Sequence, residues 1–268
     1  MTSTVAPIGV FDSGMGGLTV LKALQKVMPG ESFLYLGDTA RLPYGSKSPQ
    51  TVQRYALQAA QILVGRGVRA LVVACNTASA FALDALRESY PALPVFGVVS
   101  PGAEAVVAHQ SDGSVLVLAT ESTVAGGAYQ REILAQRSSL NVHARPCPLL
   151  VALAEEGEHR GEFCQSVLGH YLHGFVEDGS IAKPLTVLLG CTHFPVFRES
   201  LRQILGEGDV RIVDSAETTA RVVCDALATT GDGAGEVQLL ATDGVARFRR
   251  VGRHFLGTAI EAVELVDL

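Results

Sequence analysis

Short apolar runs alternate with longer stretches of helical period along the whole chain. The runs are IGVF (8–11), FLYLG (33–37), ALVVAC (70–75), VFGVV (95–99), VLVLAT (115–120), LNVHA (140–144), TVLLGC (186–191), VRIVD (210–214) and VQLLAT (237–242). Their β-branched content and the helix-length segments between them predict an α/β protein. The runs lack in/out alternation, as expected of strands in a parallel sheet with helices on both faces. One helix is placed in detail: Ser48 as N-cap, Pro49 in the first turn, and Val52, Tyr55, Ala56, Ala59 and Leu63 on one face before Gly65 and Gly67 stop it.

The pattern also repeats. ALVVACNTAS (70–79) and TVLLGCTHFP (186–195) share a plan of apolar strand, small residue, Cys, hydroxyl or polar residues and then helix. IGVFDSGMGG (8–17) and VLVLATESTVAGG (115–127) share another: strand, hydroxyl-bearing turn, glycine pair. The two plans recur at similar offsets, as a duplicated α/β unit would give. The Gly/Asp/Glu-rich stretch Thr230–Glu236 reads as a surface loop.

Composition narrows the function classes. With 268 residues, 48% of them hydrophobic, the chain has a large core and suits two domains without metal or disulfide support. A net charge of −6 repels polyanions, so nucleic acid is not an expected partner. Mean hydropathy is positive, yet charges interrupt every apolar run before the ~18 residues of a membrane helix. Met1–Pro7 has no basic segment followed by an apolar stretch, so the expected location is the cytoplasm, with no membrane partner. Five cysteines, Cys75, Cys147, Cys164, Cys191 and Cys224, without CxxC spacing point to reduced thiols rather than a disulfide framework or zinc site.

In open parallel sheets, ligands bind beyond the carboxyl ends of the strands. Four turns there are chemically loaded: FDSGMGG (11–17), GDTARLPYG (37–45), ACNTAS (74–79) and GCTHFP (190–195). Cys75 sits between a strand and an expected helix, where free amides and the helix dipole favour thiolate. Cys191 has the same setting, with His193 two residues on as a proton-transfer partner. A single Cys at a strand end is more often a small buried hydrophobe. Two in matched contexts favour chemistry, while Cys147, Cys164 and Cys224 read as packing residues. Asp12 and Ser13 precede Gly14, Gly16 and Gly17, a turn that can hold an ammonium on one side and offer amides to a carboxylate on the other; capping a helix is the alternative role for Asp12. GMGGLT is neither GxGxxG nor a P-loop. Asp38, Pro43, Tyr44 and Gly45 form a loop in which Tyr supplies a hydroxyl and Gly permits close approach. Arg247, Arg249, Arg250 and Arg253 read as a solvated helix face rather than an effector site, and Glu155 and Glu156 as surface charge.

Two thiols at equivalent strand ends can meet opposite faces of a planar intermediate, one as thiolate taking a Cα proton and the other as thiol returning one. The product is the mirror image. The carbanion then needs preorganised amides and hydroxyls, for which Ser13, Asn76, Thr77 and Thr192 are candidates. Pyridoxal phosphate chemistry would need a Schiff-base lysine, and Lys22, Lys26, Lys47 and Lys183 all lie outside the loaded turns. A single-Cys amidase or hydrolase and an amino-acid-binding module are the rivals from other classes.

The ordered set FDSGMGGLTV, GDTARLPYG, VACNTASA and LLGCTHFP resembles the cofactor-independent glutamate racemases, from about Ile8 to Gly257. The resemblance implies Cys75 and Cys191 as the acid/base thiols, with Asp12 assisting Cys75, and His193 and Glu155 assisting Cys191. It implies that Asp12, Ser13, Pro43, Tyr44, Gly45, Asn76, Thr77, Thr123, Thr192 and His193 hold glutamate. Ala152 stands where the family often has Pro, and Phe194 where it usually has Tyr; Glu156 is the neighbouring alternative to Glu155. Aspartate racemases, whose substrate is one methylene shorter, are the close alternative. The resemblance further implies two similar α/β domains with largely parallel sheets, related by a pseudo-twofold axis, with the site in the cleft between them. Residues 1–98 and 212–268 would form the first and 99–211 the second. A homodimer, no cofactor and no metal, and D-glutamate supply for peptidoglycan complete the expectation.

Overall fold

The computed structural model describes residues 6–109, 112–175, 184–206, 210–227 and 235–268. Met1–Val5, Lys183 and residues 230–234 of the expected surface loop lie outside the described residues. In chain order the elements are β1 Ile8–Asp12, α1 Leu18–Val27, β2 Phe33–Gly37, α2 Pro49–Gly65, β3 Ala70–Val73, α3 Asn76–Ser89, β4 Val95–Gly97 and α4 Val99–His109. The chain continues with β5 Ser114–Ala119, α5 Glu121–Gly126, α6 Ala128–Gln136, β6 Asn141–Pro146, α7 Pro148–Glu156, α8 Gly161–Leu172, β7 Leu185–Gly190 and α9 Arg198–Leu205. β8 Val210–Asp214, α10 Ser215–Ala226, β9 Val237–Ala241, α11 Val245–Leu256 and β10 Glu264–Leu265 complete it.

Two all-parallel sheets result, ordered β10-β9-β2-β1-β3-β4 and β6-β5-β7-β8. Setting aside β9 and β10, the two orders are the same: β1 corresponds to β5, β2 to β6, β3 to β7 and β4 to β8. The repeat visible in the sequence is therefore a repeat of topology, and Cys75 and Cys191 follow equivalent strands. β8 pairs with β7 through Asp214, so the smaller sheet runs past residue 212. β1, β2, β3, β5 and β7 are buried along their whole length, the reason their apolar runs are unbroken.

Local chemistry sets the boundaries. Ser48 caps α2, its hydroxyl accepting from the Thr51 N–H at 3.4 Å, with Pro49 in the first turn as expected. Asp214 caps α10, accepting from the Ala216 and Glu217 amides at 3.1 Å. α5 and α6 part at Gly127, whose φ of 62° is left-handed. VFGVV is strand only to Gly97; Val99 already begins α4. No helix among the described residues is long and apolar enough to cross a membrane.

Candidate active site

The loaded turns converge from both sheets on one small, partly open cavity of about 30 Å³. Ser13, Pro43, Tyr44, Gly45, Cys75, Asn76, Thr77, Thr120, Val151, Cys191, Thr192 and His193 line it. That is space for a few water molecules rather than an amino acid. Beside it lies a vestibule of about 340 Å³ that shares Pro43, Gly45, Thr120 and Val151 with the cavity and adds Leu42, Glu155 and Arg247.

On the side of the larger sheet, Cys75 is the N-cap of α3. Its sulfur accepts from the Ala78 N–H at 3.4 Å and lies 3.5 Å from the Ser13 hydroxyl. Asp12, fully buried at the end of β1, accepts from the Gly14 N–H at 2.9 Å and so closes the turn that holds Ser13. Asn76 donates through Nδ2 to the Tyr129 hydroxyl at 2.7 Å and to Ser215 at 3.3 Å; its Oδ1 takes no hydrogen bond among the described residues. Thr77, Thr120 and Thr123 form a triangle of hydroxyls at 2.9 to 3.0 Å that joins the two halves.

The Cys191 side is built differently. A turn and a short 3-10 helix, Phe194–Phe197, follow Cys191, so no α-helix begins there as it does at Cys75. His193 takes its place: Nδ1 lies 3.7 Å from the Cys191 sulfur and Nε2 lies 3.2 Å from Glu155 Oε1. Glu155 is buried, which corrects its reading as surface charge, whereas Glu156 is exposed. Thr192 donates to Asp12 at 3.4 Å, and its backbone oxygen accepts from Thr19 at 3.0 Å, so this turn is bonded across the two sheets. Phe194, in place of the tyrosine, is fully buried against Phe197.

The Asp/Glu/hydantoin racemase family profile matches residues 16–223. A curated glutamate racemase of Geobacter metallireducens is 44% identical, covering 97% of this chain and 96% of that one. This chain belongs to the Asp/Glu/hydantoin racemase family. Among solved structures, the glutamate racemase of Francisella tularensis in complex with D-glutamate superposes with a TM-score of 0.88 at 37% identity, covering 98% of this chain and 97% of that one. A glutamate racemase isoform of Bacillus anthracis gives 0.91 at 33% identity, covering 99% and 98%.

In this family member the two thiols sit in unlike electrostatic surroundings. Burial, with the charge of Asp12 beside it, pushes the Cys75 thiol up to about 12. The thiolate expected from the helix N-terminus is therefore overridden, because loss of hydration outweighs the capping amide. Burial raises the Asp12 carboxyl too, against the pull of His193 and the Gly17 and Gly14 amides. For His193 burial works downward, but hydrogen bonds to Cys191 and Glu155 outweigh it and bring the imidazole to about 10. Burial likewise opposes ionisation of Glu155; His193 and Arg247 overcome it and hold the carboxyl below its usual range. Cys75 is thus held in its protonated form, while across the cavity His193 is favoured in its charged form between a sulfur and a carboxylate.

Three placements depart from the sequence reading. The Tyr44 hydroxyl donates to buried Asp38, which does not line the cavity, so the hydroxyl is already engaged. The basic set of α11 divides: Arg247 pairs with Glu155 at 2.8 Å, and Arg249 donates to the Ile260 carbonyl at 2.9 Å. Thr120 is a cavity residue that sequence reasoning missed, although its place at the end of β5, equivalent to β1, was a usable signal.

Proposed function

We propose that this chain interconverts L- and D-glutamate with two cysteines. The observation that carries the reading is that Cys75 and Cys191, ending equivalent strands of different sheets, line one small cavity. In one direction the Cys191 thiolate takes the Cα proton: the C–H bond breaks and an S–H bond forms. The Cys75 thiol then gives its proton to the other face of the carbanion. The reverse direction begins with Cys75 as thiolate, prepared by proton transfer to its surroundings. Asp12 serves Cys75, and Glu155 with His193 serves Cys191. The amides and hydroxyls at Ser13, the Tyr44–Gly45 backbone, Thr77 and Thr192 hold the substrate, Pro43 walls the cavity, and Thr123, outside the cavity lining, fixes Thr77 through its hydroxyl. The free Oδ1 of Asn76 is suited to accept from its ammonium. A cavity this small requires the two halves to part for glutamate and close around it, which keeps water from the carbanion.

Two domains organise the site, one around each sheet, with crossings near residues 98 and 214. The product supplies D-glutamate for peptidoglycan in the cytoplasm, and the chain works as a homodimer, which sedimentation would verify. Incubating either glutamate enantiomer in heavy water tests the activity. Racemisation with deuterium appearing at Cα is expected. Unchanged glutamate, or exchange on aspartate alone, would overturn the reading.

A further inference from the structure

Helix α11 belongs to the half built on the larger sheet, yet it reaches the side of the cavity formed by the smaller one. Arg247, near its first turn, donates from Nη2 to Glu155 Oε2 at 2.8 Å, while Oε1 of the same carboxylate faces His193 Nε2 at 3.2 Å. Phe255, eight residues on and so on the same helix face, sets its ring edge-on to His193 with centroids 5.1 Å apart. The side chains grade from solvent inward: Arg247 is 43% exposed, Glu155 10% and His193 8%.

The geometry points to Arg247 as a positioning residue for the Cys191 side of the reaction: it occupies one carboxylate oxygen of Glu155 so that the other is directed at His193, and it does so only when the two halves are together. Each Glu155 oxygen thereby has a separate partner. A carboxylate free to rotate would share both oxygens with the imidazole or with solvent, and His193 would lose its fixed orientation toward the sulfur. Because the pair spans the halves, closing the cavity and aligning His193 become one event. Arg247 lines the vestibule rather than the inner cavity, so its role does not depend on touching glutamate. The titratable and charged groups around Glu155 are His193, with Cys191 and Asp12 behind it, Arg247 and His254 on α11, and Glu121 across the vestibule.

This inference rests on the racemase reading, and the test separates the two. Wild-type protein and the variants R247Q, R247K, E155Q and R247Q/E155Q are assayed for kcat and KM in both directions across pH. Inactive wild-type protein overturns the racemase reading itself. With active wild type, R247Q is expected to lower kcat about tenfold with KM little changed, and to move the acid limb to higher pH because Glu155 loses a cation that favours its ionised form. R247K should recover much of the loss, and the double variant should be no slower than E155Q. A rise in KM alone, meaning that Arg247 binds substrate, overturns the positioning role. Additive losses in the double variant, or R247Q indistinguishable from wild type, overturn it equally.

Discussion

Gly16 and His193 come from different halves of the molecule and touch so closely that a Cβ on Gly16 would lie 2.4 Å from the imidazole Nδ1 and 2.5 Å from the Thr192 hydroxyl. Here a missing side chain gives the cavity its shape. The glycine turn after β1 is the surface against which the Cys191–His193 turn rests, and Nδ1 is the atom that faces the Cys191 sulfur.

G16A should therefore damage catalysis more than folding. The added methyl meets the His193 ring and displaces it from Cys191. Overpacking of this kind costs about 1–3 kcal/mol, which the rest of a chain this size can absorb. A fall in kcat of about tenfold or more is expected with a cooperative, modestly lowered thermal transition. Wild-type kcat in G16A would show that the turn adjusts freely and that His193 placement is uncritical.

The two thiols should be jointly necessary. C75S and C191S should each reduce kcat by about 10²- to 10⁴-fold, the usual contribution of a positioned acid or base, and should do so with either glutamate enantiomer. C224S, whose sulfur lies on α10 3.8 Å from the Val27 carbonyl, should be unaffected. Full racemisation in both directions by C75S or C191S, followed by polarimetry, would remove the assigned roles.

What the sequence disclosed and what it withheld divide along a physical line. Strands buried on both faces announce themselves as apolar runs, as β1, β2, β3, β5 and β7 do, while β4, β6, β8 and β9, partly exposed, still showed as short β-branched runs. With them came the turns holding Cys75, Cys191, Asp12 and Asn76. β10 was invisible because Glu264–Leu265 is a two-residue edge strand with exposed side chains. Read residue by residue, Glu155 passed for surface charge because it ends a helix beside Glu156, and only the resemblance gave it a role; Arg247 is solvent-exposed as expected, but its pairing with Glu155 was not legible. Only the meeting of α7, α11 and the turn after β7 buries the carboxylate. The thiolate expected of Cys75 failed for a related reason: the helix N-terminus is local and legible, whereas the burial that overrides it comes from side chains distant in sequence, from Phe11 to Leu240.

Y44F tests which part of the 37–45 loop faces the substrate. The hydroxyl donates to Asp38, which also accepts from Thr242 at 3.0 Å and from Arg41 at 2.6 Å. Removing it leaves a buried carboxylate one donor short, a loss of about 1.5–3 kcal/mol for a hydrogen bond to a charged group. The thermal midpoint should fall while KM for glutamate stays near that of wild type. A KM rise without loss of stability would mean that the hydroxyl turns to the substrate.

The unequal sides of the cavity should also appear in stability against pH. His193 is raised from 6.5 to about 10, so its contribution is complete below about pH 6.5 and is lost as pH rises through 10. Cys75 is raised from 9.0 to about 12; above pH 9 the unfolded chain releases a proton that the folded chain retains, and stability falls again. Both act in the same direction, so the thermal midpoint should decline continuously from about pH 7 to 11. On the acid side two carboxyls oppose each other: lowered Glu155 loses its contribution as pH falls below its usual 4.5, while raised Asp12 is relieved of its buried charge. The acid decline should therefore be the shallower one. H193N should flatten the curve between pH 7 and 10 while leaving the fall above it, and C75S should do the converse. Calorimetric scans of the three proteins read this directly, and a wild-type midpoint constant from pH 7 to 10 would mean that His193 is not held charged between Cys191 and Glu155.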